Sequence, residues 1–139
     1  MIILDTNVIS ELMAPSPAEQ VERWVAARPA TSLCTTAITK AEILFGIRLL
    51  ARGKRRDRVE AAAETLFGQV FAGRLLPFGS DAAVAYARIA ADRRRRGSPI
   101  SNLDAQIAAV ARASGASLAT RNVRDFAGCG IKLADPWAQ

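Results

Sequence analysis

The chain contains no histidine. That removes the commonest general base and the commonest transition-metal ligand. Ser-His-Asp triads, Cys-His pairs and paired-histidine nuclease chemistry are excluded by composition. Any catalysis must fall to carboxylates, hydroxyls, Lys, Arg or a hard metal ion. Cysteine is scarce too. Cys34 and Cys129 stand far apart, with neither metal-ligand spacing nor a disulfide framework, and read as reduced thiols. Apolar stretches are broken by charge or Gly before they could cross a bilayer. The opening MIILD has no basic leader ahead of an apolar segment, so no signal peptide is read there. There is no internal repeat, low-complexity tract or obvious linker. The expectation is a soluble cytoplasmic protein with no membrane partner.

What is present fits one domain over residues 1–139, half of them hydrophobic and able to build a core. Lys and Arg total 19 against 13 Asp and Glu, a net charge of +6. A basic surface suits a polyanionic partner such as nucleic acid. It also occurs in Arg-rich proteins that bind none.

IIL before Asp5 reads as a short buried strand, and Thr6 to Met13 as a short helix ended near Pro15. Ala18 to Ala27 has helical spacing through Val21, Trp24 and Val25. A second strand is expected at Ser32 to Thr35. A helix follows over Thr39 to Ala51, with Ile43, Leu44, Ile47 and Leu50 on one face and Gly53 as its stop. Arg55 to Phe71 begins another helix. RLLPF around Leu75 and Leu76 is a third strand. Asp81 opens a long helix through Tyr86 and Ile89 that ends in RRRRG. Leu103 to Ala113 is helical and stops at Gly115. SLAT, ending at Thr120, is a strand, and IKLAD near Leu133 is one more. Short apolar strands alternating with helices predict an α/β sandwich on a mainly parallel sheet. Ligands bind beyond the carboxyl ends of such strands, where Asp5 and Thr120 fall.

Glu19, Glu22, Asp57, Glu60, Glu64 and Asp92 read as surface charges on polar helix faces. Asp5, Glu42, Asp104 and Asp125 differ. Each has strongly apolar neighbours near a helix start or a strand end. Capping is one explanation. Thr39-x-x-Glu42 and Ser101-x-x-Asp104 fit capping boxes, Asn122-x-x-Asp125 is a looser version, and Asp5, Thr6 and Asn7 could each cap the first helix. The other explanation takes the four together. Hard divalent cations favour clustered carboxylates and assist phosphodiester hydrolysis. Helix N-termini would help keep such acids ionised, so the two explanations are compatible. Periodicity alone does not bring the four together in space.

Four stretches carry a resemblance: IILDTNVISEL, TTAITKAEILFGI, GSPISNLDAQIAAVAR and SLATRNVRDFAGCGIKL. In this order and at this length, the chain resembles a PIN domain, and more narrowly the VapC-type toxins of VapBC toxin–antitoxin systems, on their FitB-like branch. The resemblance covers nearly the whole chain. It implies a three-layer α/β/α sandwich. It also implies an endoribonuclease dependent on Mg²⁺, with Mn²⁺ as an alternative, whose metal ligands are Asp5, Glu42, Asp104 and Asp125. Family members often carry a further acid where this chain has Asn122. Thr6 and Thr120 resemble hydroxyl residues that hold a water or a phosphate oxygen, and Asn7 resembles the asparagine supporting the first aspartate. The implied route is in-line attack by an activated water. It leaves a 5′-phosphate and a 3′-hydroxyl and uses neither histidine nor the ribose 2′-hydroxyl.

The implied partners are an RNA substrate (tRNA or another structured RNA), a second copy of the chain and a small VapB-type antitoxin. Operator DNA would be reached only through the antitoxin, in a higher assembly. Leu44, Leu49 and Leu50 are offered as part of the antitoxin groove, or as plain core. Two runs, Arg93 to Arg96 and RGKRRDR over Arg52 to Arg58, read either as solvated helix ends or as RNA-phosphate contacts. The competing reading is a non-catalytic PIN-like module that binds RNA or antitoxin. A metal-dependent DNA nuclease would share the same site.

Overall fold

The computed structural model describes residues 1–138. Strands β1 (Ile2–Leu4), β2 (Leu33–Thr36), β3 (Leu75–Leu76), β4 (Ser117–Ala119) and β5 (Leu133–Ala134) form one sheet in the order β3-β2-β1-β4-β5. Every pairing is parallel. The helices are α1 (Thr6–Met13), α2 (Glu19–Ala26), α3 (Ala37–Leu49), α4 (Lys54–Thr65), α5 (Ser80–Arg95) and α6 (Asn102–Ser114).

Successive residues of a strand face opposite sides of a sheet. Ile3, Cys34 and Leu118 therefore pack with Ala85 and Ile89 of α5 and Ile107 and Ala108 of α6. Leu4, Leu33 and Ala119 pack the other way, with Val8 and Ile9 of α1, Val21 and Trp24 of α2, and Ile47 of α3. Two cores on one sheet make the three-layer α/β/α sandwich, and the strands buried on both faces explain the unbroken apolar runs.

The order places β1 at the centre, where the sheet switches direction. The chain moves outward through β2 and β3, then returns to the other side of β1 for β4 and β5. Such a switch point opens a crevice at the carboxyl ends of the strands. Asp5 leaves β1 there, its amide bonded to the Ala119 carbonyl at 2.9 Å.

Several local expectations change. The second strand runs to Thr36, and α3 begins at Ala37 rather than Thr39. The cap is Thr36, whose hydroxyl accepts the Thr39 amide at 3.0 Å. Two threonines three residues apart offer equivalent caps in sequence, and strand pairing selects the earlier one. The Thr39-x-x-Glu42 capping box is therefore absent, and Glu42 sits in the second turn of α3. Gly53 does not stop that helix. α3 ends at Leu49, and Gly53, at φ 153°, stands at the start of α4. The helix expected over Arg55 to Phe71 divides into α4 and a π-helical turn, Leu66–Val70, that seats Phe67 in the core. α6 stops as expected at Gly115, whose φ of 65° suits the residue without a Cβ. Both cysteines are free and buried.

Thr36 is fully buried, so its loss strands an amide as well as a cap. Thr36→Ala should lower stability by about 1–2 kcal/mol, read as a drop in melting temperature. An unchanged melting temperature would refute the capping role.

Candidate active site

The first carboxylate is set by the end of β1. Asp5 is 4 % exposed and caps α1, accepting the Thr6 amide on Oδ1 at 2.9 Å. Thr6 and Asn7 are thus not caps. They occupy the first turn and point their polar groups across the crevice. On the other oxygen, Oδ2, Asp5 accepts the Thr120 hydroxyl at 2.7 Å and the Asn7 amide at 3.3 Å. Thr120, just beyond β4, also accepts from the Asn7 side chain and the Asn122 amide. The Asn7 side-chain oxygen, Oδ1, accepts the Arg121 backbone amide at 3.2 Å. Asn7 and Thr120 together tie the segment after β4 to the head of α1.

Glu42 enters from α3. The Thr6 hydroxyl donates to Glu42 Oε1 at 2.7 Å. That uses its one proton, so Thr39 donates in the 3.0 Å contact between Thr39 and Thr6. Thr39 is fully buried and completes a relay that orients Glu42. Sequence reading missed it, because its spacing from Glu42 mimicked a cap.

Asp104 lies in the first turn of α6, where the Ser101 hydroxyl accepts its amide at 3.3 Å. Here the capping expectation holds on the Ser101 side. Asp125 is exposed on a 3-10 turn, Val123–Phe126, and Asn122 makes no side-chain cap there. Its position therefore has no capping explanation.

Like-charge repulsion links these acids in pairs. Burial pushes the Asp5 carboxyl up to about 6; the Thr120 and Thr6 bonds oppose that, and the charges of Asp104 and Glu42 add to it. Asp104 is also raised, first by burial and then by the charge of Asp125, against its bond with Ser101. The carboxylates thus form a chain of like charges, from Glu42 through Asp5 and Asp104 to Asp125. Among the described residues, no three Asp, Glu or Cys side chains draw close enough to make a ready-made ion cage. The donors nonetheless fit a hard cation. They are all oxygens, and their repulsion is relieved by positive charge. Asp5 keeps about one free acceptor direction on Oδ1, since a carboxylate offers about four and three are taken.

This fold matches a known family. The PIN-domain model matches residues 2–128. The chain belongs to the PIN-domain family. The chain is 40% identical over 137 residues to VapC ribonuclease Y4jK of Sinorhizobium fredii, covering 99% of this chain and 98% of that one. It is 36% identical over 137 residues to toxin FitB of Neisseria gonorrhoeae, covering 99% of each. The solved structure of FitAB bound to an IR36 DNA fragment superposes with a TM-score of 0.92 at 36% identity, covering 100% of this chain and 97% of that one. The PIN domain is therefore of the VapC/FitB type, as the sequence motifs imply.

The arginine runs divide. Arg93 is buried rather than solvated, whereas Arg94 to Arg96 are exposed. RGKRRDR is mostly the first turns of α4. Arg55 and Arg58 line a groove of about 600 Å³ with Thr6, Glu42, Met13 and Ile47. Leu50 lines the same groove; Leu44 and Leu49 are exposed, so neither is core.

A carboxyl whose folded pKa lies above its unfolded value binds its proton more tightly when folded. Ionisation of Asp5 then opposes folding: the penalty is absent near pH 4, grows as pH rises towards about 6 and is complete above it. Asp5→Asn should stabilise the metal-free PIN domain at neutral pH by about 1–3 kcal/mol, with the gain vanishing near pH 4. Denaturant melts across that range check it. A variant less stable than the parent at every pH would contradict it.

Proposed function

We propose that this PIN domain is a Mg²⁺-dependent endoribonuclease, with Mn²⁺ able to substitute, and the toxin of a type II toxin–antitoxin pair. The observation that carries the reading is Asp5 buried at the switch point of the sheet, held by Thr120 and Asn7 and raised to about 6 by burial and, in smaller part, by the charges of Asp104 and Glu42. A structural role would not set carboxylates to repel one another. Relatives named ribonucleases agree with it, among them VapC ribonuclease Y4jK and the tRNA(fMet)-specific endonuclease VapC of Shigella flexneri.

Asp5, Glu42 and Asp104 would hold the ion, with Asp125 completing the set. A bound Mg²⁺ supplies neutralising charge for a phosphate and lowers the pKa of water. The chain's own residues orient the acids. Thr120 and Asn7 fix Asp5, and the Thr39–Thr6 relay fixes Glu42. The hydroxyl protons of Thr6 and Thr120 are committed to carboxylates, so both threonines act as orienting groups. Asn122 lends its backbone amide to Thr120, which is compatible with a site that lacks a further acid. The substrate is RNA, tRNA or another structured RNA, met in the cytoplasm. Among the described residues no helix is long and apolar enough to cross a membrane.

The groove beside Glu42 suits a VapB-type antitoxin segment: Met13, Ile43 and Ile47 form an apolar floor, and Arg55 and Arg58 a basic rim. Solved relatives such as FitAB and the VapBC of Salmonella typhimurium are complexes bound to DNA. By that analogy the PIN domain forms a homodimer within a higher assembly, which reaches operator DNA through the antitoxin.

The test is cleavage of a labelled tRNA pool by partner-free protein with Mg²⁺, Mn²⁺ or EDTA. Discrete fragments should require metal, and Asp5→Asn and Asp104→Asn should slow cleavage by about two orders of magnitude or more. Cleavage that persists in EDTA or in both variants would refute the mechanism. Tight RNA binding with no cleavage of any RNA would assign a non-catalytic module.

A further inference from the structure

Arg93 is the one member of its run withdrawn from solvent, at 6 % exposure. The ion pairs among the described residues, Arg23 with Glu19 and Arg95 with Asp92, leave it out. A buried guanidinium is costly unless each donor is met. Backbone carbonyls meet it here. Nε donates to the Ser98 carbonyl at 2.7 Å and Nη2 to the Ser98 hydroxyl at 3.4 Å. Nη1 donates to the Asp125 carbonyl at 2.8 Å and the Ala127 carbonyl at 3.2 Å, and lies 3.7 Å from the Cys129 sulfur.

The Nη1 acceptors lie on the turn that carries Asp125 and on the residues just after it. A single 3-10 turn has few backbone bonds of its own, and these carbonyls would otherwise need donors. Phe126, 1 % exposed, anchors the turn from the core side. Arg93 grips the other side. The clamp thus joins the last turn of α5 to the segment that sets Asp125 beside Asp104.

We propose that Arg93 is the positioning residue of the acidic site, holding the Val123–Phe126 turn so that Asp125 completes the carboxylate set. The proposal rests on the reading of these acids as a metal site. It gives the buried arginine a function that neither a solvated helix end nor an RNA contact supplies.

The test uses the full chain with Arg93→Lys, which keeps the charge and stem, and Arg93→Gln, which keeps a donor. Arg94→Ala, an exposed arginine of the same run, is the control. Amide hydrogen exchange is measured without metal, and Mn²⁺ binding by electron paramagnetic resonance. Exchange should quicken over residues 123–129 and around Ser98 but not across the rest of the fold, and Mn²⁺ affinity should fall about tenfold. With RNA, kcat should fall while KM stays. In an Asp125→Ala background, Arg93→Lys should weaken Mn²⁺ no further, since Arg93 acts through Asp125. Unchanged exchange, or local loosening with parental Mn²⁺ affinity, would overturn the proposal. So would loss of the whole fold in both variants, which would make Arg93 a global stabiliser. If the parent chain binds no Mn²⁺, the metal-site reading itself falls, and this proposal with it. If the parent and the Arg93 variants bind it equally, only the role of Arg93 falls.

Discussion

A carboxylate buried at the end of a central strand costs free energy unless donors surround it. Asp5 stands in that position, and much of the structure around the crevice answers to it. The first amide of α1, the Thr120 hydroxyl and the Asn7 amide each meet one of its oxygens. These bonds join two segments far apart in sequence. They do not cancel the penalty, because burial and the charges of Asp104 and Glu42 still hold the group up to about 6. The site keeps a tension that a cation would release.

That tension explains the design of the surroundings. Each acid comes from a different part of the fold, and Asp5 and Glu42 are steered by neutral hydroxyl or amide partners rather than by a salt bridge. A lysine or arginine among them would relieve the repulsion and remove the drive to bind a cation. The arginines are placed elsewhere. Arg55 and Arg58 rim the groove beside Glu42, and Arg93 lies behind the Asp125 turn, spent on backbone carbonyls. The fold's ordinary stability comes from the two apolar layers, which tolerate a buried carboxylate that is itself destabilising.

Much of this was legible in the sequence. IIL and SLA read as short strands buried on both faces, and the residues that follow them are Asp5 and Thr120. Gly115 marked its helix end. The four acids stood out because their apolar neighbours gave them no surface role. Local patterns failed where two residues offered the same chemistry. Thr36 and Thr39 are equivalent caps until strand pairing chooses between them, and Gly53 could stop one helix or start the next. The run at Arg93 to Arg96 could not reveal that one guanidinium turns inward, since two of the three carbonyls that receive it lie about thirty residues further on. The convergence of the acids was likewise invisible to periodicity. It is the family likeness that proposes it.

The measurement closest to the central claim is a carbon-13 NMR titration of the Asp5 carboxyl, without divalent metal and with saturating Mg²⁺. Without metal the group should titrate at about 6, and Mg²⁺ should carry it well below the usual carboxylate range. An Asp5 carboxyl that titrates like a solvent-exposed aspartate, or one that ignores Mg²⁺, would contradict the account.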